Sequence, residues 1–470
     1  MNMNTEDTIV ALSTPIGEGG IGIVRMSGPD ALTIADKIFL SKDGKKPSGF
    51  KTYTIHYGHI VNNNTQYAIR TTQYETVDEV LLTVMRAPKS YTKENVVEIN
   101  CHGGIRASKE VLDLVVACGA RVAEPGEFTR RAFLNGRIDL AQAEGVLDVI
   151  RAKTDGAFKV ARAQLEGEFS RKVRTLLNEV LDIASEVEAS IDFPDEELDI
   201  LTDALRARCN KATHGVKELV DTFRHGAILR EGILAVICGK PNAGKSSLMN
   251  LLLKRDRVIV TPIPGTTRDA VEEMIDIRGI PVRIVDTAGI AGSKQLLDKE
   301  SVKKSKRYIK LADIVLLLLD GSRPFDAHDK ALVKLIGNKK RIVVLNKTDL
   351  ARKITQSALK KYVGKDAMVE ISAKKRTNID RLEQTIADVV WSGTFSQGES
   401  ILVTNARHKE LLDKACKNML SVCKACADNA PPDLIAVDLK EASFNLGLII
   451  GKSVSGDILD RIFEKFCIGK

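Results

Sequence analysis

The chain has 470 residues, 44% of them hydrophobic, and a formal net charge of +8, which supports two to four domains and excludes wholesale disorder. No apolar run reaches the ~18 residues of a membrane span, and the opening MNMNTEDTIVALSTP has neither the basic start nor the apolar stretch of a signal peptide, so a cytoplasmic protein is expected. The basic balance permits a polyanionic partner without requiring one. Eight scattered cysteines do not read as a disulfide framework.

Residues 8 to about 120 read as mixed α/β. Five β-prone runs (TIVAL, IGIVRMS, YTIHYGHI, DEVLLTVM and VVEIN) alternate with Gly, Pro and Asn turns, and one helical segment, 105–118, follows. Gly17, Gly19 and Gly22 fit G-x-G-x-x-G, yet a strand-like run follows instead of a helix, which rejects a dinucleotide site. His56 and His59 stand at odd spacing on a strand and so face opposite ways, unlike a metal pair.

From Gly126 the texture becomes helical. Ala132, Leu134, Ile138, Leu140 and Ala141 recur at three and four, and RTLLNEVLDIASEVEASI continues the period. IDFPDEE marks a break before an acidic stretch. Residues 230–392 alternate strands (ILAVIC, VRIVD, DIVLLLLD, RIVVLN, MVEIS) with helices, the pattern of a mostly parallel sheet. Residues 402–470 are helical again, and KELLDKACKNMLSVCKACADN and ASFNLGLIIGKSVSGDILDRIFEKF both show a helical period. The expected fold class is α/β plus all-α, with boundaries at 1–122, 123–229, 230–392 and 393–470. A first α+β domain precedes a helical domain that a P-loop α/β domain interrupts. Cys423 and Cys426 form a lone C-x-x-C on a predicted helix, which makes zinc or redox chemistry there a poor reading.

Gly239 to Ser246 spell GKPNAGKS, a full G-x-x-x-x-G-K-[ST] match between an apolar run and a helix-prone stretch. Backbone N–H groups of Asn242, Ala243, Gly244 and the helix start cradle phosphate. Lys245 reaches the β and γ phosphates, Ser246 ligates Mg²⁺, and Ser247 completes the first turn. Asp286, Thr287, Ala288 and Gly289 follow a strand, where Asp286 holds Mg²⁺ through water and the Gly289 N–H senses the γ-phosphate. Asn346, Lys347, Thr348 and Asp349 follow another strand. The Asp349 carboxylate accepts from guanine N1 and the exocyclic amine, a donor pair that adenine lacks. Ser372, Ala373 and Lys374 supply backbone contact to the guanine oxygen. Together these predict GTP as the ligand. A Ras-like domain would carry a water-orienting Gln after D-T-A-G, but that position is Ile290, which shifts attention to Asn242 as a group able to help bind a monovalent cation.

Outside these motifs, EPGEFTRRAFLNGRIDLAQAEGVLDVI, DTIVALSTPIGEGGIGIVRMSG, YTKENVVEINCHGG and the terminal FCIGK closely resemble the tRNA modification GTPase MnmE (TrmE) family. The resemblance runs end to end. It implies a homodimer joined through N-terminal domains and a helical domain interrupted by a Ras-like P-loop GTPase domain. It also implies a potassium-activated GTP hydrolase that works with the flavoprotein MnmG on carbon five of the wobble uridine of certain tRNAs. A tetrahydrofolate derivative is expected to supply the one-carbon unit. By motif, Asn242, Thr261, Ile263 and Thr266 match the potassium positions, and Ser246 and Thr267 the Mg²⁺ ligands. Pro262, Pro264 and Gly265 complete that nucleotide-binding loop. Arg25, Glu98, Arg137 and Lys470 match the folate positions, with Arg137 standing where some members have Lys. The family's catalytic Glu aligns with Asp298, one methylene shorter, and Cys467 sits at the family's C-terminal Cys. Asp298, Lys245 and Cys467 are therefore the candidate catalytic residues. A ribosome-assembly or signalling GTPase switch is the competing reading, but it needs neither the folate residues nor FCIGK.

Overall fold

The computed structural model describes residues 6–62, 75–192, 202–256, 272–286, 306–364, 366–391 and 401–470. It forms two compact units, residues 1–147 with 450–470, and residues 148–449.

In the first unit, strands β1 (Ile9–Leu12), β2 (Ile21–Ser27), β3 (Phe39–Ser41), β4 (Thr54–Asn62), β5 (Glu75–Met85), β6 (Val96–His102) and β7 (Arg121–Val122) form one sheet in the order β3-β4-β5-β6-β2-β1-β7. All neighbours run antiparallel except β1 and β7. Period-two alternation sends Val80, Leu82 and Val84 of β5, with Val97, Ile99 and Cys101 of β6, to one face. Helices α1 (Ala31–Ile38) and α2 (Ile105–Ala117) lie within that core. The opposite face leaves Ile55, Tyr57 and Leu81 exposed.

Three differences from the sequence reading stand out in this unit. The α1 helix was not expected, although Ala31, Ile34, Ala35 and Ile38 keep the i, i+3, i+4, i+7 spacing and are all buried. The helical period from Ala132 to Ala141 is two helices, α3 (Glu127–Leu134) and α4 (Leu140–Arg151), parted at Gly136 with φ +67°. Leu134 is thus exposed, and Arg137 lies in the turn. Third, ASFNLGLIIGKSVSGDILDRIFEKF is not one helix. Gly451 takes φ +91°, and a Cβ there would meet the Phe133 ring at 2.6 Å. A separate helix, Gly456–Phe463, follows, and Leu459, Phe463 and Phe466 pack with Leu140, Ala143 and Leu147. Residues 123–147 and 450–470 therefore cluster with the N-terminal sheet. His56 stacks on Phe50 with centroids 3.4 Å apart, and His59 sits edge-on to Tyr57, as ordinary strand histidines do.

The second unit combines long helices with a six-stranded sheet. Helices α5 (Asp155–Leu165), α6 (Glu168–Asp192) and α7 (Asp203–Glu231) precede it. The sheet takes β8 (Ile233–Gly239), β9 (Glu272–Ile277), β10 (Ile280–Asp286), β11 (Ile314–Asp320), β12 (Arg341–Asn346) and β13 (Ala367–Glu370) in the order β13-β12-β11-β8-β10-β9. Every pairing is parallel except β9 with β10. The central strand β11 is buried along its whole length because helices cover both faces, so its sequence is a continuous apolar run. Between and after the strands come α8 (Lys245–Asp256), α9 (Ala327–Ile336), α10 (Gln356–Val363) and α11 (Ile379–Trp391). Then α12 (Ala406–Ala427) and α13 (Pro432–Ile449) return to pack with α6 and α7. The antiparallel edge strand β9 was missed because its sequence, EEMIDI, is half acidic. Residues 193–197 of IDFPDEE lie outside the described residues.

Candidate nucleotide-binding site

The phosphate loop joins the end of β8 to the start of α8, so the helix N-terminus and the loop N–H groups converge on one anion position. Two glycines make the loop possible. A Cβ at Gly239 would lie 2.4 Å from the Leu318 carbonyl oxygen. Gly244 has φ +99°, and its Cβ would lie 2.3 Å from Asn346 Nδ2. Asn242 is exposed and adopts φ +64°, a left-handed conformation that Asn tolerates better than most residues.

Lys245 folds back over the loop, and its Nζ donates to the carbonyls of Gly239 and Lys240, both at 2.9 Å. Burial pushes its ammonium below the usual lysine value, against the pull of the Asp286 charge. A desolvated cation hydrogen-bonded to neutral carbonyls is poised for a phosphate. Ser246 Oγ donates to Asp286 Oδ2 at 2.8 Å, which brings two hard oxygen donors to one point at the strand ends. That pair fits a Mg²⁺ site. Ser247 is exposed on the same helical turn. Among the described residues no group of three or more His, Cys, Asp or Glu side chains could hold a metal ion.

On the base side, Asn346 is the anchor. Its Nδ2 donates to the Ala243 carbonyl at 2.8 Å, and its Oδ1 accepts from the Ala373 N–H at 3.0 Å. One buried carboxamide thus ties the phosphate loop to the Ser372–Lys374 loop. Asp349 Oδ1 accepts from Ser372 Oγ at 2.6 Å, and that bond holds its carboxyl below the ordinary range. The Thr348 N–H donates to Ile371 O, and Lys374 is exposed at the rim.

Two ion pairs here were not anticipated. Lys347, at φ +67°, is pinned through Nζ to Asp320 Oδ2 at 2.6 Å. Lys240 bridges Asp326 and Asp329, the capping box of α9, at 2.9 and 2.7 Å. The signals were in the sequence: an Asp ending an apolar strand, and a D-x-x-D before a helix. Thr261, Pro262, Ile263, Pro264, Gly265, Thr266, Thr267, Thr287, Ala288, Gly289, Ile290 and Asp298 lie outside the described residues.

In the first unit, Arg25 and Glu98 stand directly opposite on β2 and β6, with Nε to Oε1 at 2.7 Å. Arg25 also donates to the Gly469 carbonyl at 3.3 Å and lies over the Phe128 ring. Lys470 is therefore the next residue to this pair, its N–H bonded to Cys467 O. Cys467 is exposed. Arg137 is set apart from them, with its guanidinium 4.8 Å over the Tyr91 ring and bonded to Tyr91 O. Burial pushes the Tyr91 phenol up, and the charges of both Arg137 and Arg25 oppose that shift. Tyr91 carries Arg137 over its ring and packs with Phe128, the ring beneath Arg25. In the second unit, Cys423 contacts the Thr213 hydroxyl at 3.2 Å, and Cys426 is buried, so the C-x-x-C serves helix packing.

A P-loop on a mainly parallel sheet, with a base-side Asn-Lys-x-Asp, defines the class: a guanine-nucleotide hydrolase. Comparison with known proteins takes this further. The family model for the GTP-binding protein TrmE N-terminus matches residues 8–137, and that for the MnmE helical domain matches residues 140–467. The tRNA modification GTPase MnmE of Alkaliphilus oremlandii is 44% identical over 469 residues, spanning 100% of both chains. That of Clostridioides difficile is 45% identical, also over 100% of both. That of Lactobacillus gasseri is 46% identical over 99% of this chain and 98% of its own. The chain belongs to the tRNA modification GTPase MnmE family.

Proposed function

We propose that the chain is a potassium-activated GTP hydrolase that, with the flavoprotein MnmG, modifies carbon five of the wobble uridine of certain tRNAs. The observation that carries the nucleotide half is the Asn346 carboxamide, which joins the phosphate and base loops into one site. In this reading Lys245 neutralises the β and γ phosphates, Ser246 and Thr267 hold Mg²⁺, and Asp349 selects guanine. Asn242, Thr261, Ile263 and Thr266 hold the potassium ion, whose charge stands in for an arginine finger. Asp298 orients the attacking water.

The modification half uses a tetrahydrofolate derivative. Arg25, Arg137 and Lys470 meet its carboxylates, and Glu98 accepts from pterin N–H donors. Cys467, exposed two residues before Gly469, is the candidate reactive thiol of this half. Homodimerisation is supported by the open face of the N-terminal sheet, where Ile55, Tyr57 and Leu81 leave an apolar surface that a second copy can cover. The proposed domains are 1–122 for folate and dimer contacts, 123–229 and 393–470 for the helical domain, and 230–392 for the GTPase. No described helix is long and apolar enough to cross a membrane, and a cytoplasmic location suits a tRNA substrate.

Two measurements test the proposal. GTP turnover should rise in KCl over NaCl, and equal rates in both would remove the potassium role. Nucleosides from tRNA of cells lacking this protein should lose the modification on wobble uridine. Unchanged wobble uridines would refute the second half.

A further inference from the structure

A cavity of about 410 Å³ in the first unit is lined by Tyr53, Met85, Pro88, Ser90 and Tyr91, together with Lys89, Lys93 and Arg137. Its lining holds three cations and no carboxylate. The Glu94 and Glu98 carboxylates that stand close in sequence are already engaged, Glu94 by Ser27 and Arg131, Glu98 by Arg25. Two of the cations are also held in place. Lys93 Nζ donates to Gly136 O at 3.1 Å, and Arg137 donates to Tyr91 O at 3.1 Å, so the 86–95 loop and the 135–139 turn are stitched together around the cavity. Such a pocket takes an anion, and three separate cations suit a ligand with several spaced negative charges better than a single one.

Tyr91 fixes which ligand. It walls this cavity with Arg137 over its ring, and it packs in the same small core as Phe128, over which Arg25 lies. The cavity therefore lies close to the Arg25–Glu98 pair, with the Tyr91 and Phe128 rings between them. The geometry points to Lys89, Lys93 and Arg137 as a subsite for an oligo-γ-glutamyl tail on the one-carbon carrier. Its carboxylates recur along the chain, and each meets one cation, while the pterin remains at Glu98. This rests on the tetrahydrofolate reading above and adds the form of the carrier that the protein selects. A nucleic-acid backbone is the competing polyanion, but the cavity is walled by two tyrosines, and one of them, Tyr91, packs with the Phe128 ring beneath Arg25.

The test uses the full chain with tetrahydrofolate carrying one or five glutamates, measured by titration calorimetry. The pentaglutamate should bind about tenfold tighter, since each exposed ion pair contributes only up to ~1 kcal/mol. Lys89→Ala with Lys93→Ala should erase that difference and leave monoglutamate binding unchanged. Equal affinity of the two forms for the unaltered chain overturns the subsite but leaves the folate site standing. Failure of both forms to bind overturns the folate reading itself. If the double variant keeps the pentaglutamate preference and instead lowers the salt slope of tRNA binding, the pocket is a phosphate contact and the proposal is wrong.

Discussion

The nucleotide site and the Arg25–Glu98 group are built in opposite ways. The first is made of contiguous stretches, each following a buried strand of one sheet, and much of its chemistry is backbone N–H and carbonyl. The second pairs side chains from β2 and β6 with the Gly469 carbonyl, while Arg137 stands apart over the Tyr91 ring, and little of it is local in the chain. A backbone-built site tolerates side-chain change except at a few anchors. A side-chain-built site distributes its affinity, and each member can be removed without collapse.

That contrast can be broken by experiment. The largest effect is expected for Lys245→Ala, because a desolvated cation aimed at phosphate is lost: GTP affinity should fall by two orders of magnitude or more, about 3 kcal/mol. Isothermal titration and an unchanged circular dichroism spectrum would separate this from unfolding. Next comes Asn346→Ala, which cuts both of its hydrogen bonds. Removing that anchor should weaken GTP and GDP alike, by about 2 kcal/mol each. A loss confined to GTP would mean that Asn346 does not hold the base side.

The second site should respond more mildly. Glu98→Gln should reduce tetrahydrofolate affinity about fivefold, near 1 kcal/mol, and leave GTP turnover as it was. A fall in GTP turnover would show that the two sites do not separate as their construction implies.

The smallest effect concerns acid. The hydrogen bond from Lys240, backed by α9 N–H groups, holds Asp326 at about 2, below its ordinary 3.8. A carboxyl with a lowered folded value stabilises the fold above its unfolded value, and that stability goes as pH falls from about 4 to about 2. Lys240→Met should therefore flatten the stability loss over that window in urea melts. An unaltered slope would remove the pair from the acid response.

The same contrast governs what the sequence reveals. Phosphate and guanine motifs are legible because backbone geometry at a strand-to-helix turn permits few residue types, as Gly239 and Gly244 illustrate. The strands β8, β11 and β12 are legible because burial on both faces leaves apolar runs. Arg25 and Glu98 carry no local pattern that marks them, and their cross-strand register exists only once the sheet is paired. They could be named from family resemblance alone. Helix breaks at Gly136 and Gly451 were hidden because the apolar spacing continues across them, while a single positive φ redirects the chain. The acidic partners of Lys240 and Lys347 stand in local patterns, but they lie 86, 89 and 27 residues away, so the pairing itself is set only by the fold.

The small core around Phe463 and Phe466 has a consequence for the order of synthesis. Its partners Leu140, Ala143 and Leu147 leave the ribosome some three hundred residues earlier than these two rings. At typical translation rates of about 5–20 residues per second, that part of the first unit waits tens of seconds with an open apolar face. The whole GTPase sheet is made during that interval. Phe463 and Phe466 thus complete a core whose other half, at Leu140 and Ala143, is made long before them.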